Sequence, residues 1–210
     1  MPNTINVVEP SLTTAAGHCY SFITALSRRA DESRRLRLWA DRKIEVSFGA
    51  DVEVKKCFFR RIRKVQSYFL YKDLIKAPGK LFVSTARYAD LLMIDWAAAG
   101  LIPPKKVYLY VHWFKPSERK MARLRAIARR QPNLEIYGPT PSVTTVFEQA
   151  GFANARVVPY PISQPGGQAA PGEHAFKHLL FAGAARSDKG FSEVVSLVEH
   201  MHKLGLRIPW

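Results

Sequence analysis

Short apolar runs alternate along the chain with longer stretches in which apolar residues recur every three or four positions. That alternation predicts parallel α/β architecture. Residues 5–8 read as a first strand running into a loop at Pro10, and Thr13 through Gly17 and His18 open a helix carrying Phe22, Ile23 and Leu26. Residues 36–39 predict a second strand and 44–48 a further short one. Residues 55–76 read as a helix with Phe58, Ile62, Val65 and Phe69 on one face and Arg60, Arg61, Arg63 and Lys64 on the other. Beyond it come a strand at 81–84, a helix at 88–99 stopped by Gly100 and Pro103-Pro104, and a buried strand at 107–111. A basic helix at 119–130, a strand at 134–137, a helix at 142–149 and a strand at 156–158 continue the series.

The pattern then breaks. Residues 159–172 are rich in Pro and Gly and carry no charge, which predicts a linker. One more strand–turn–helix unit follows, with the strand at 179–182 and the helix from Phe191 to about Lys203. A single unit of this size cannot bury its own core. The expected organisation is a Rossmann-like parallel sheet flanked by helices over residues 1–160, a linker over 161–176, and over 177–210 the first β-α unit of a truncated second Rossmann-like domain.

Charge narrows the partners. Hydrophobic residues at 47% against 23% charged exclude a wholly disordered chain. An excess of Lys and Arg gives a net charge of +15, which favours polyanions: nucleic acid, an anionic membrane surface or phosphorylated ligands. Cys19 and Cys57 are too few for a disulfide framework or a zinc site, and are expected to be reduced thiols of a cytoplasmic protein. No secretory signal is visible, and the longest uncharged stretch is diluted by Ser, Thr, Gly and His.

The candidate chemistry lies in turns. FAGAARSDKGFSEVV places a Gly-rich basic turn between an apolar strand and a helix, and a helix N-terminus is a natural seat for phosphate. Arg186 can fork onto phosphate oxygens and Lys189 adds a point charge; the alternative is an ordinary βα turn with solvated basic residues. Gly17-His18 at a helix start suits either an anion site or close backbone packing. His112 ends a buried strand at the edge where open α/β sheets bind ligands, although a lone His there also serves as a structural residue. His200 and His202 lie on different helix faces, and Asp90 and Asp95 point apart, so neither pair makes a convergent site.

Gly183 with Lys189-Gly190 resembles the donor-domain turn of the retaining GT-B-fold glycosyltransferases, group 1 or family 4-like. Many members place Arg directly after the first glycine, where this chain has Ala184 and the Arg follows at Arg186. VVEPSLTTAAGHCYSFITAL resembles the first βα unit of that family's acceptor domain, with Gly17 matching one of its paired glycines. VYLYVHWF resembles the strand that carries a cleft-facing His.

The resemblance implies a GT-B N-terminal domain and transfer of a sugar from a nucleotide-diphosphate sugar to a glycan or lipid-linked acceptor. It implies His112 as the catalytic candidate, and Gly183, Arg186, Lys189 and Gly190 as the donor phosphate turn. Gly17 and His18 become the cleft loop, and no metal or other cofactor is expected. Arg60, Arg61, Arg63 and Lys64 are then expected to face an anionic membrane surface, making the protein peripheral. With the donor half incomplete, the 210-residue chain is expected to be inactive. A different class fits the charge as well: a basic nucleic-acid-binding α/β protein without catalytic activity, for which KKCFFRRIRK offers basic–aromatic interleaving but no known recognition signature.

Overall fold

The structure, a computed structural model, describes residues 4–15, 17–31, 33–161 and 191–205. The chain divides into two compact units, Met1–Ser163 and Gln164–Trp210. In the first, the order is β1 (Ile5–Glu9), α1 (His18–Ser27), β2 (Leu36–Asp41), β3 (Val52–Phe58), α2 (Arg63–Lys76), β4 (Lys80–Val83), α3 (Tyr88–Ala97), β5 (Val107–Tyr110), α4 (Glu118–Arg130), β6 (Glu135–Gly138), α5 (Pro141–Gln149) and β7 (Ala155–Val157). The described part of the second unit contains α6 (Phe191–Lys203), on which His200 and His202 are both exposed.

All seven strands are parallel, in the order β3-β2-β1-β4-β5-β6-β7. This is the α/β, Rossmann-like sheet that the alternation predicts. The chain starts in the middle, builds outward to β3, crosses back through α2, and builds outward again from β4. Right-handed crossovers then put α1 on one face and α2 to α5 on the other. The two cores follow that division. Val8, Leu81, Val83, Leu109, Val111 and Ile136 meet the four helices, whereas Val7, Leu36, Leu38, Ala40 and Tyr110 meet Phe22 and Ile23 of α1. Beside α1 the second face carries a groove of about 410 Å³ lined by Phe82, Tyr108, Tyr110 and Tyr137.

Two elements differ from expectation. Residues 44–48 form no strand; Ile44 is buried beneath the β2–β3 connection, which contains no helix. The run 55–76 is not one helix. Its first residues belong to β3, an edge strand in parallel register with β2, in which Val52 and Val54 alternate with exposed Glu53. Helix α2 buries Ser67, Leu70, Tyr71 and Leu74, a stripe at helical spacing. The apolar stripe that periodicity picks out lies outward instead: Ile62, Val65 and Phe69 are 53%, 58% and 56% exposed. The helix offers apolar residues on two sides, and periodicity alone does not say which meets the sheet.

Candidate functional site

The place where a doubly wound sheet reverses direction leaves a crevice at the carboxyl ends of its strands. Here the reversal falls between β1 and β4, which pair directly. Glu9 ends β1 with no exposure, and three donors surround its carboxylate. Ser84 Oγ donates to Oε2 at 2.7 Å, Thr85 Oγ1 to Oε1 at 3.0 Å, and the Ser11 N–H to Oε1 at 3.2 Å. A buried carboxylate costs several kcal/mol unless it is satisfied in this way. The network ties the loop after β1 to the loop after β4.

His112 follows β5 on the same edge. Its Nε2 lies 2.7 Å from the Ser84 carbonyl, which can only accept, so Nε2 carries the proton. Nδ1 is then the acceptor for the Tyr160 hydroxyl. His18, Tyr110 and Tyr160 stand around the ring with centroids 5.3, 5.1 and 5.1 Å away, and Phe22 lies at 6.1 Å. Burial holds the imidazole pKa below its ordinary 6.5, favouring the neutral ring that this bonding needs. His112 is therefore half-buried and bonded through both nitrogens. Losing its side chain is expected to cost stability as well as any chemistry.

Across from it, Gly17 precedes α1 with φ +86°, and a Cβ placed there would meet nothing within 4 Å. Backbone conformation, not close packing, requires the glycine. His18 begins the helix with its Nε2 3.5 Å from Cys19 Sγ. Burial first, and the nearby Glu9 carboxylate second, push the Cys19 thiol up to about 12, so it is a thiol and not a nucleophilic thiolate.

The structure brings Gly17, His18 and His112 to one edge. It does not gather the four basic residues on one helix face. Arg60 and Arg61 lie between β3 and α2, whereas Arg63 and Lys64 form the first turn of α2. Arg63 Nη1 reaches back to Ser11 Oγ at 3.3 Å, toward the sheet edge. Gly183, Arg186, Lys189 and Gly190 lie outside the described residues.

Asp90 and Asp95 do separate work. Asp90 accepts from Tyr71 OH and from the Arg87 N–H, each at 2.8 Å. Asp95 holds Arg130 through two bonds of 2.5 and 3.1 Å. Sequence reasoning missed Glu9, Ser84, Thr85 and Tyr160. Only the positions of the first three at strand ends could have signalled them.

Among the described residues no group of three or more His, Cys, Asp or Glu could hold a metal ion, and no helix is long and apolar enough to cross a membrane. No protein-family model matches the chain, and no curated protein matches it.

Proposed function

We propose that the chain carries the acceptor half of a glycosyltransferase that moves a sugar from a nucleotide-diphosphate sugar to a glycan or lipid-linked acceptor. The observation that supports this reading best is the convergence of Gly17, His18 and His112 at the carboxyl edge of a doubly wound parallel sheet. That edge is where such sheets hold ligands, and it is where the resembling family places its cleft loop and cleft histidine. With Nε2 donating to Ser84 and Nδ1 accepting from Tyr160, His112 acts as an orienting wall of the cleft and not as a free base. Negative charge developing on the departing nucleoside diphosphate would be met by Arg186 and Lys189, an electrostatic role that needs no proton transfer from them.

Isothermal titration with uridine-, guanosine- and adenosine-diphosphate sugars tests the reading. Binding that Lys189→Ala removes supports it. Tight, salt-dependent capture of generic RNA or DNA at physiological salt, with no response to any nucleotide sugar, overturns it in favour of the nucleic-acid reading.

A further inference from the structure

A second cavity, of about 60 Å³, lies at the β1–β4 reversal, walled by Ser11, Arg63, Lys64, Thr85, Arg87 and Asp90. One water-sized probe needs roughly 10–15 Å³ of such volume, so the space suits a group with four or five heavy atoms and not a whole nucleotide. Three cationic residues and three hydroxyl-bearing ones, Ser11, Ser67 and Thr85, meet there. The single carboxyl on the wall, Asp90, is already engaged by Tyr71 OH and the Arg87 N–H, and burial raises its pKa. Glu9, the nearest other carboxylate, is saturated by Ser84, Thr85 and Ser11.

Helix α2 adds an independent anomaly. Its N-terminus has no side-chain cap and no acidic residue in the first turn, and it opens instead with Arg63 and Lys64. Cations at the positive end of a helix dipole are the unfavourable arrangement, and the one carboxyl facing Arg63 and Arg87, that of Asp90, leaves three cationic residues against a single acid. An anion between Arg63, Lys64 and Arg87 satisfies all three at once.

We propose that this cavity binds a phosphoryl group, carried by a soluble phosphate ester or by a lipid headgroup, with Arg63 and Arg87 forking onto its oxygens and Lys64 adding charge. Ser11 and Thr85 supply hydroxyls, and Arg63 is already held toward Ser11. The site stands whether or not the chain transfers sugars. It also gives Arg63 and Lys64 a role different from that of Arg60 and Arg61, which lie outside the cavity.

The test is amide chemical-shift titration of the 210-residue chain with inorganic phosphate, with glycerol 3-phosphate, and with vesicles containing phosphatidic acid, all at constant ionic strength held with chloride. Saturable shifts confined to residues around Ser11, Lys64, Thr85 and Arg87 are expected. Losing one charge-assisted contact should weaken binding roughly tenfold or more, so Arg63→Gln and Arg87→Gln each carry that expectation. Lys64→Gln, at an exposed position, keeps the test decisive should either arginine variant fold poorly. The double variant Arg60→Gln/Arg61→Gln removes more charge outside the cavity and should leave affinity for inorganic phosphate and for glycerol 3-phosphate within about twofold. Preference for glycerol 3-phosphate assigns a soluble ester, and preference for the vesicles assigns a headgroup. Equal loss of inorganic phosphate and glycerol 3-phosphate binding in the Arg60/Arg61 variant, or the same shifts from added chloride alone, overturns the site.

Discussion

The contact between His112 and Tyr160 gives the sharpest quantitative prediction. Tyr160→Phe removes one hydroxyl and should destabilise the protein by about 1 kcal/mol, the usual net worth of a neutral hydrogen bond. His112→Phe keeps a ring among Phe22, Tyr110 and Tyr160 but removes both bonds and leaves the Ser84 carbonyl without its ring donor. Its expected cost is about 1–3 kcal/mol, or a fall in Tm of roughly 2–4 °C per kcal/mol at this chain length. Urea unfolding of the two single variants and the double variant closes a thermodynamic cycle. The coupling should be about 0.5–1.5 kcal/mol near pH 7.5, because the singles each break the same bond. The pH dependence has a definite sign. Burial lowers the folded-state pKa below 6.5, so the unfolded state takes up a proton that the native ring refuses. The stability that this arrangement contributes is full above about pH 6.5 and is lost as pH falls through the depressed folded value. A protonated Nδ1 also cannot accept from Tyr160, so the coupling should shrink toward pH 5. Zero coupling near neutrality, or coupling unchanged by acid, refutes the hydrogen-bond assignment.

Phe69→Ser should cost well under 1 kcal/mol because its side chain is mostly exposed, whereas Leu70→Ala, one position along, should cost about 2–4 kcal/mol by chemical denaturation. Gly79→Ala should block or severely destabilise folding: φ is +89° there, and the new Cβ would fall 2.3 Å from the Thr4 carbonyl oxygen. Circular dichroism of the soluble fraction reads this directly. Arg130→Met leaves the Asp95 carboxylate, 4% exposed, without its fork, and since Arg130 is itself 57% exposed and screened, the expected loss in a thermal melt is about 1–3 kcal/mol. Binding to anionic vesicles should fall with added salt and fall again in Arg60→Gln/Arg61→Gln, while neutral vesicles should bind little. Equal sedimentation with both vesicle types argues against an electrostatic contact.

The sheet was legible because its buried strands are short and apolar and most are followed by a helix with its own stop signals, as at 107–111 and at Gly100 with Pro103-Pro104. Strand β3 was not legible. It lies at the sheet edge, where Glu53, Lys55 and Lys56 replace the continuous apolar run of an interior strand, and charged positions make an edge strand read as the start of a helix. Ile44 failed in the opposite direction: one buried residue in an irregular connection imitates a strand. At the site, His112 stood out because a polar residue closed an apolar run. Glu9 did not, since an acidic residue after a strand is ordinary and only the fold brings Ser84 and Thr85 to it from the far side of α2. Tyr160 sits in the Pro-rich stretch that composition marks as a linker, and nothing local reveals that its hydroxyl closes on a ring 48 residues earlier.

The reversal between β1 and β4 also sets an order of events. Ile5 pairs with Leu36 early in the chain, but its other edge waits for Lys80, so β1 remains half-paired through the making of β2, β3 and α2. Closing that long loop is the entropically expensive step, and long-range parallel pairing of this kind slows folding. The loops that carry Glu9, Ser11, Ser84 and Thr85 meet only when it closes. Until then the first eighty residues expose one unpaired edge of an apolar strand. An unpaired apolar edge is where a partly made chain is most prone to aggregate, and the crevice that gathers Glu9, Ser84 and Thr85 does not exist before that edge is covered.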